Sequence, residues 1–258
     1  MSENSNKRCL IFAHRGASTE AFENTKSAFD QALTYPIDGM ETDVQLSRDR
    51  VAVLWHDRFL DKLGLPGKRI SDLEFRQLQA LEFSTLVPPV ADNEGLMTLQ
   101  AFVESYHKQC RLLLELKIEC WRSDPERHDA LVRACCDIAK RFGGPPPRAT
   151  AMLNSFDLDS LIRARHHCPS LPLILNLEQV QSMPLIRKVL LENTFLTGLC
   201  LPIADIDDAV VAAIRRLGKT VATYTCNSET EINKALMLAV DILMTDVPPK
   251  ALALRSAT

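Results

Sequence analysis

The chain has 258 residues, of which 46% are hydrophobic and 24% are charged, and its formal net charge is −3 at pH 7. These values exclude an intrinsically disordered chain, which would have fewer apolar residues and a larger net charge. They also argue against a general nucleic-acid-binding protein, which needs a basic surface, and no apolar run reaches the length of about 18 residues that a membrane-spanning helix requires.

Short apolar runs alternate with amphipathic stretches along the whole chain. The runs are mostly too short for helices and are rich in Val, Ile and Leu, which is typical of buried strands. In chain order, the predicted strands are residues 9–13, 39–43, 111–117, 149–153, 171–177, 198–201, 220–224 and 242–244. The predicted helices between and after them are residues 26–33, 98–108, 124–142, 158–167, 184–192, 207–217, 229–238 and 248–254.

This alternation indicates the fold class. Eight strands and about eight helices in roughly 250 residues are the content of a (β/α)8 TIM barrel. A doubly wound open sheet is the alternative, but the chain lacks the Gly-x-Gly-x-x-Gly turn of that fold. We expect one TIM-barrel domain over residues 1–258, with an insertion at about residues 57–97 that lies on the rim of the barrel.

An extra strand predicted at residues 51–55 follows the second barrel strand. The polar turn at residues 47–50 between the two runs indicates a hairpin. A hairpin closed symmetrically there brings His56 opposite Glu41. Both residues would then lie at the C-terminal mouth of the barrel, where this fold has its active sites.

Three carboxylates fall within predicted strands. Glu41 and Asp43 are two residues apart, so their side chains share one face of a strand, and Glu115 follows the apolar run of the next barrel strand. Carboxylates gathered inside a barrel repel one another unless a cation lies between them, and an all-oxygen set suits Mg²⁺, Ca²⁺ or Mn²⁺. The alternative is a structural role, with Arg15 or Lys117 as ion-pair partners.

Two histidines and two cations are predicted at the same mouth. His14 ends the first strand and His56 ends the hairpin. A single histidine in such a place is more often structural, but two that converge on an acidic site suit a general acid and a general base. Arg15 and Lys117 could simply neutralise carboxylates; beside a metal they are better interpreted as phosphate ligands. Together these groups indicate displacement at phosphorus.

The motifs that carry these residues resemble those of the glycerophosphodiester phosphodiesterase family. They are His14-Arg15-Gly16, Glu23-Asn24-Thr25, Glu41-Thr42-Asp43-Val44, His56-Asp57, Glu115-Leu116-Lys117 and a closing Thr245-Asp246-x-Pro248. Their order and spacing agree over about residues 9–250. The resemblance implies a TIM barrel with a small insertion after the hairpin. It also implies hydrolysis of small-molecule glycerophosphodiesters to glycerol 3-phosphate and an alcohol.

The resemblance also implies a role for each site residue. Glu41, Asp43 and Glu115 would bind a divalent cation, either Mg²⁺ or Ca²⁺. His14 and His56 would be the acid–base pair, and Arg15 and Lys117 would hold the phosphate. The attacking group is either a hydroxyl of the substrate's own glycerol, through a cyclic phosphate, or a water molecule.

The chain departs from the usual family pattern at three positions. Phe22 replaces a proline, Arg50 replaces a glycine at the hairpin tip, and Tyr224 replaces a tryptophan late in the barrel. None of these changes removes a chemical group from the reaction. We expect Tyr224 to contact the substrate, and Phe22 and Tyr224 leave the identity of the alcohol open.

Two alternative functions are considered beside the diesterase. A phospholipase C- or D-like relative that acts on lipid or lysophospholipid should expose an apolar or basic loop for membrane contact. Residues 57–96 contain large apolar residues but also many charges, which favours a soluble substrate. A barrel that only binds phosphate ligands would be expected to lose at least one of the three carboxylates or two histidines, and all five are present.

Two further features predict the compartment. The first eight residues, MSENSNKR, lack the apolar core of a secretory signal peptide. The eight cysteines form no Cys-x-x-Cys pair and mostly fall within apolar patterns, so we expect reduced thiols in the core. These observations predict a cytoplasmic protein. The slightly acidic net charge and the lack of a long apolar run predict that it binds no nucleic acid and has no stable membrane insertion. No oligomeric state is predicted.

Overall fold

Eight parallel strands close into a barrel in the computed structural model, which describes residues 8–83, 86, 88, 91, 94–118, 124–142, 151–179 and 182–257. Within those residues the strands are β1 (Leu10–His14), β2 (Gly39–Leu46), β3 (Ala52–Leu54), β4 (Arg111–Leu116), β5 (Ala151–Ser155), β6 (Leu173–Asn176), β7 (Gly198–Pro202), β8 (Thr220–Tyr224) and β9 (Ile242–Thr245). All except β3 pair in parallel around the barrel, and β1 closes it by pairing with both β2 and β9. The predicted (β/α)8 fold is confirmed.

The described α-helices are α1 (Lys26–Leu33), α2 (Phe75–Gln79), α3 (Leu99–Tyr106), α4 (Pro125–Phe142), α5 (Leu158–His167), α6 (Met183–Glu192), α7 (Asp208–Arg216), α8 (Glu229–Met237) and α9 (Pro248–Ala257). Eight of these described helices correspond in order to the eight predicted ones, and the additional short helix α2 lies in the segment after β3. Several begin at a residue whose side chain accepts a backbone N–H of the first turn, such as Thr25, Asp157 and Ser228. None of the described helices is long and apolar enough to cross a lipid bilayer.

Some strand boundaries differ from those predicted. The strand predicted at residues 149–153 extends over Ala151–Ser155, and residues 149 and 150 lie outside the described residues. The apolar run ends at Leu153 and so did not predict the end of the strand, because Asn154 and Ser155 are polar but buried in the strand. Strand β6 is shorter than the predicted 171–177 run, since Leu171 and Pro172 precede the strand.

The hairpin register differs by one residue from the prediction. Val44 pairs with Leu54, and Gln45 pairs with Val53, so the same register places His56 across from Thr42 rather than Glu41. The cause is a three-residue loop, which ends at Arg50 with a φ of 63°. A type I turn followed by one left-handed residue is a common loop of this length, and it favours the glycine that the family usually has there.

The segment after β3 packs on the hairpin and forms a small apolar core of its own. We call this the hairpin cluster; its buried members are Phe22, Val53, Trp55, Leu60, Ile70, Leu78, Phe83, Leu86 and Leu96. The Phe22 and Trp55 rings stack with centroids 6.0 Å apart. Phe22 therefore belongs to this rim structure, and its side chain helps to fix the end of the hairpin.

The cysteines behave as buried apolar residues. Seven of them are free thiols, namely Cys9, Cys110, Cys135, Cys136, Cys168, Cys200 and Cys226, while Cys120 lies outside the described residues. Burial raises the pKa of Cys9 and of Cys110 to about 12. A thiol with so high a pKa is a poor nucleophile at neutral pH.

Candidate active site

A layer of polar side chains lies across the C-terminal mouth of the barrel. On four strands, an apolar interior residue is followed two positions later, on the same face, by a polar residue: Phe12 by His14, Leu113 by Glu115, Met152 by Asn154, and Ile174 by Asn176. The apolar residues fill the barrel below this layer. Because side chains alternate between the two faces of a strand, polar residues that are distant in sequence point into the same part of the barrel interior.

The site residues predicted from the sequence meet around one cavity of about 190 Å³, which we call the central cavity. Seven of the eight line it: His14, Arg15, Glu41, His56, Glu115, Lys117 and Tyr224. The eighth, Asp43, is buried and lies 2.9 Å from Nε of Arg15 and 3.6 Å from Nζ of Lys117. Strand register accounts for this proximity, since His14 is paired with Glu41 and Asp43 with Glu115.

The three carboxylates form a buried cluster. One oxygen from each of Glu41, Asp43 and Glu115 lies within 4.8 Å of the others, and all three residues are buried. Burial raises the pKa of Glu41 well above its ordinary value, and the negative charges of Asp43 and Glu115 raise it further. Burial likewise raises the pKa of Glu115. Burial therefore opposes the ionisation of Glu41 and Glu115, and a nearby cation would favour it.

Two members of this cluster have cationic partners. Burial would raise the pKa of Asp43, but Arg15 and Lys117 hold it below its usual range. An oxygen of Asp43 also accepts a hydrogen bond of 2.9 Å from Nδ2 of Asn24. Glu115 lies 3.0 Å from Nζ of Lys117 and accepts a hydrogen bond from Asn176. A purely structural role would account for these two residues.

Glu41 does not fit a purely structural role. Among the described residues, neither of its carboxylate oxygens has a hydrogen-bond partner, although both are buried, and one oxygen of Asp43 is in the same state. A buried polar atom without a partner costs about 1–3 kcal/mol, and more when it is charged. A hard divalent cation would satisfy these oxygens, and an all-carboxylate donor set is one that such cations prefer. The residues therefore fit a divalent metal.

His14 is oriented by a carboxylate behind it. Its Nδ1 lies 2.6 Å from Oδ1 of Asp246, and its Nε2 lies 3.9 Å from Glu41. Asn227 donates a 2.6 Å hydrogen bond to the other oxygen of Asp246, and Ser18 donates to the first. A proton on Nδ1 leaves Nε2 as the acceptor on the cavity side.

His56 has the same kind of partner from a different part of the chain. Its Nδ1 lies 2.9 Å from Oδ1 of Asp57. The hydrogen bond from His56, opposed by burial, lowers the pKa of Asp57 to about 2. Lys62 lies 2.9 Å from Asp57 and also 2.9 Å from Glu23. These contacts link His56 to the other side of the mouth.

Arg15 completes that link and has an unusual backbone. Its Nη1 lies 2.6 Å from Glu23 and its Nε lies 2.9 Å from Asp43. Arg15 and Asn24 both have left-handed φ angles, of 60° and 59°, which cost about 1–3 kcal/mol each and are typical of functional sites. The neighbouring Gly16 has a φ of 87°, and a Cβ there would lie 2.6 Å from the Ala28 backbone.

Several residues of the site were not assigned a role from the sequence. Glu23, Asn24, Asp57 and Asp246 lie within motifs that the sequence analysis identified, so their positions could have been predicted. Asn154 and Asn176 each follow an apolar strand run, which is the signal that identified Glu115. Lys62 lies outside every motif and follows no strand, so no local signal points to it.

Tyr224 is held at the edge of the central cavity. Its hydroxyl donates a 2.8 Å hydrogen bond to the Leu177 carbonyl, and its ring meets Phe156 edge-on at 5.9 Å. Burial raises its pKa, so the hydroxyl is protonated at neutral pH. The aromatic pair forms one wall of the cavity.

Comparisons with known proteins agree with this arrangement. Residues 14–250 match the model of the glycerophosphoryl diester phosphodiesterase family. The protein YhdW of Bacillus subtilis (strain 168) is 28% identical over 238 residues, which cover 92% of this chain and 94% of that protein. The glycerophosphodiester phosphodiesterase of the same strain is 25% identical, and the match covers 93% of this chain and 84% of that protein.

The fold has close relatives among solved structures. An Oleispira antarctica phosphodiesterase, solved in complex with the product sn-glycerol-3-phosphate, superposes with a TM-score of 0.80. It is 24% identical in sequence, and the match covers 96% of each chain. A glycerophosphodiester phosphodiesterase from Parabacteroides distasonis superposes with a TM-score of 0.78 at 22% identity, over 97% of this chain and 98% of that one. At these identities the likeness concerns the fold.

Proposed function

Because the chain belongs to the glycerophosphoryl diester phosphodiesterase family and is an enzyme of that class, we propose a metal-dependent reaction with two histidines as acid and base. The substrates are glycerophosphodiesters, and the products are glycerol 3-phosphate and an alcohol. The observation that carries the proposal is that neither Glu41 oxygen has a hydrogen-bond partner in the described part of the chain, at a cavity lined by His14 and His56.

The metal ligands in this proposal are Glu41, Asp43 and Glu115. These residues would hold Mg²⁺ or Ca²⁺, which would supply positive charge to neutralise the phosphate oxygens. Lys117 contacts two of the three carboxylates and lines the central cavity, so its ammonium can hold them and a phosphate oxygen together. Arg15 uses Nε and Nη1 for its carboxylate partners, and we assign Nη2 to a phosphate oxygen.

The two imidazoles transfer the protons. One Nε2 accepts the proton of the attacking hydroxyl, whether this belongs to the substrate's glycerol or to water. The other imidazole, protonated, donates to the oxygen of the leaving alcohol. Asp246 and Asp57 hold the rings by Nδ1, so that each Nε2 is directed to the reaction. Tyr224 and Phe156 contact the substrate from the opposite wall.

The test is release of glycerol 3-phosphate from glycerophosphocholine, measured in a coupled assay with and without chelator. We expect activity to disappear in chelator and to return on addition of Mg²⁺ or Ca²⁺. Turnover that does not respond to chelator would reject the metal ligands. Absence of turnover on every glycerophosphodiester would reject the reaction itself.

The other sequence-based assignments stay predictions. They are a single domain over residues 1–258 with an insertion at about residues 57–97, and a cytoplasmic location. The hairpin cluster supports the insertion, because the segment after β3 packs its apolar residues there.

A further inference from the structure

A second cavity, of about 450 Å³, opens beside the central cavity. Both are lined by Glu115, Lys117, Phe156 and Asn176, so the two spaces adjoin. The second cavity lies at the ends of β4, β5 and β6 and against helix α6. Its volume is within the range of ligand-binding pockets, which is about 300–1,000 Å³. A phosphodiester bound at the carboxylates therefore has a larger space beside it.

Among the described residues, the wall of the second cavity has apolar and polar side chains in about equal number. Its apolar members include Ile118, Phe156, Leu177, Leu185, Ile186 and Val189. Three polar lining residues are used locally: the Ser155 hydroxyl donates to the Leu116 carbonyl, and Asp157 and Ser182 cap helices α5 and α6. Glu178 and Gln179 are exposed, so they lie at the water-facing rim.

Two large side chains of this wall are unusually exposed. Phe156 is 39% exposed and Leu185 is 42% exposed, and both line the second cavity. Apolar surface that is concentrated in a concave site, with a polar rim, is typical of a place where an apolar ligand binds. An exposed carboxylate such as Glu178 would add little for a cationic alcohol, because water screens its charge.

We propose that the second cavity binds an apolar chain on the leaving alcohol, so that the preferred substrates are glycerophosphodiesters of apolar alcohols. This inference rests on the proposed function. The glycerol group carries free hydroxyls, which need polar partners, and the central cavity supplies them from charged residues. The second cavity, with the exposed apolar side chains of Phe156 and Leu185, is therefore assigned to the other ester group. Phe156, which lines both cavities, marks the junction between them.

The test is a series of n-alkyl esters of glycerol 3-phosphate, from ethyl to octyl, assayed by release of glycerol 3-phosphate. We expect kcat/KM to rise with chain length, by up to about fourfold for each methylene that becomes buried, and to level off when the cavity is full. Leu185→Asp should reduce the octyl-to-ethyl ratio of kcat/KM by about tenfold or more. Leu191→Asp is the matched control, since Leu191 lies on the same helix and is 57% exposed but does not line the second cavity.

Each outcome decides the inference. A chain-length series that stays flat or falls, or equal ratios in the two variants, would overturn it. A 1-octanoyl glycerophosphocholine that is hydrolysed better than the octyl ester would place the chain on the glycerol side and also overturn it. Failure to hydrolyse any member of the series, glycerophosphocholine included, would instead contradict the proposed function.

Discussion

Replacing Glu41 by Gln distinguishes a metal site from a structural cluster, because the two predict opposite effects on stability. Glu41→Gln keeps the shape of the side chain and replaces the carboxyl group with a neutral amide. In the metal-free protein that carboxyl group is buried beside Asp43 and Glu115, where burial and these two charges raise its pKa, and its oxygens have no hydrogen-bond partner among the described residues. We therefore expect the variant to be more stable than the wild type in chelator.

The size of the effect follows from the partnerless oxygens. A buried unsatisfied polar group costs about 1–3 kcal/mol. The amide of Gln at this position can donate to the neighbouring carboxylates of Asp43 and Glu115, so the free energy of unfolding should rise by about that amount. In a chain of this length, 1 kcal/mol shifts the Tm by about 2–4 °C, which gives a rise of about 2–12 °C. Asp43→Asn should act in the opposite direction, by about 3–5 kcal/mol, because Arg15 loses a buried ionic partner.

The assay is thermal unfolding of the wild type and both variants, in chelator and in Mg²⁺ or Ca²⁺. The wild type should gain stability from the metal, because a ligand that binds only the folded state raises the Tm, and Glu41→Gln should lose most of that gain. A variant that is less stable than the wild type in chelator would refute the reasoning. So would a metal-induced shift in Glu41→Gln as large as that of the wild type.

Three further predictions concern proton transfer, positioning and pH. His14→Ala and His56→Ala should each lower kcat by at least about 100-fold in the coupled assay, while His166→Ala, at an exposed helix end, should leave kcat unchanged. Lys62→Met should lower kcat by about tenfold with little change in KM, because Lys62 holds the carboxylates that orient the site. His128 is buried, which lowers its pKa below 6.5, so the protein should lose stability as pH falls below about 6.5, by at most about 1.4 kcal/mol per pH unit.

The controls for the last two predictions use neighbouring groups. Lys62→Arg should keep kcat close to that of the wild type, and Lys68→Met should not lower kcat. A Lys62→Met enzyme with normal kcat would remove Lys62 from the positioning network.

His128→Gln should flatten the dependence of the free energy of unfolding on pH between pH 5 and 6.5, as measured by chemical unfolding. The carboxylates near His128, Asp157 and Asp159, favour its protonated form and oppose the effect of burial. An unchanged profile in His128→Gln would show that burial does not dominate.

Local patterns in the sequence predicted most of the architecture. The alternation of apolar runs and amphipathic stretches predicted the barrel, because each pattern depends on the backbone period of one element. Because Glu41 and Asp43 are two residues apart, the sequence predicted that they share one face of a strand. In the structure both belong to the buried carboxylate cluster. Polar residues at strand ends, such as Glu115, were recognisable because a parallel barrel buries both faces of its strands.

Other features depend on tertiary packing and could not be predicted from the sequence. The hairpin register is shifted because a left-handed Arg50 makes a three-residue loop, and the sequence pattern there fits two-residue and three-residue loops alike. Lys62 reaches Asp57 and Glu23 because the segment after β3 folds back and packs its apolar residues in the hairpin cluster. The second cavity exists between the ends of three strands and a helix, so no single segment encodes it.

The sequence by itself determined which elements form and which faces of them carry charge, since those properties follow from the backbone geometry of each segment. Barrel closure decided the distances: it brings Asp246, at the end of the last strand, to His14 on the first. It also leaves Glu41 without a hydrogen-bond partner among the described residues. Such distances depend on how the strands and helices pack together, and packing is a property of the whole fold.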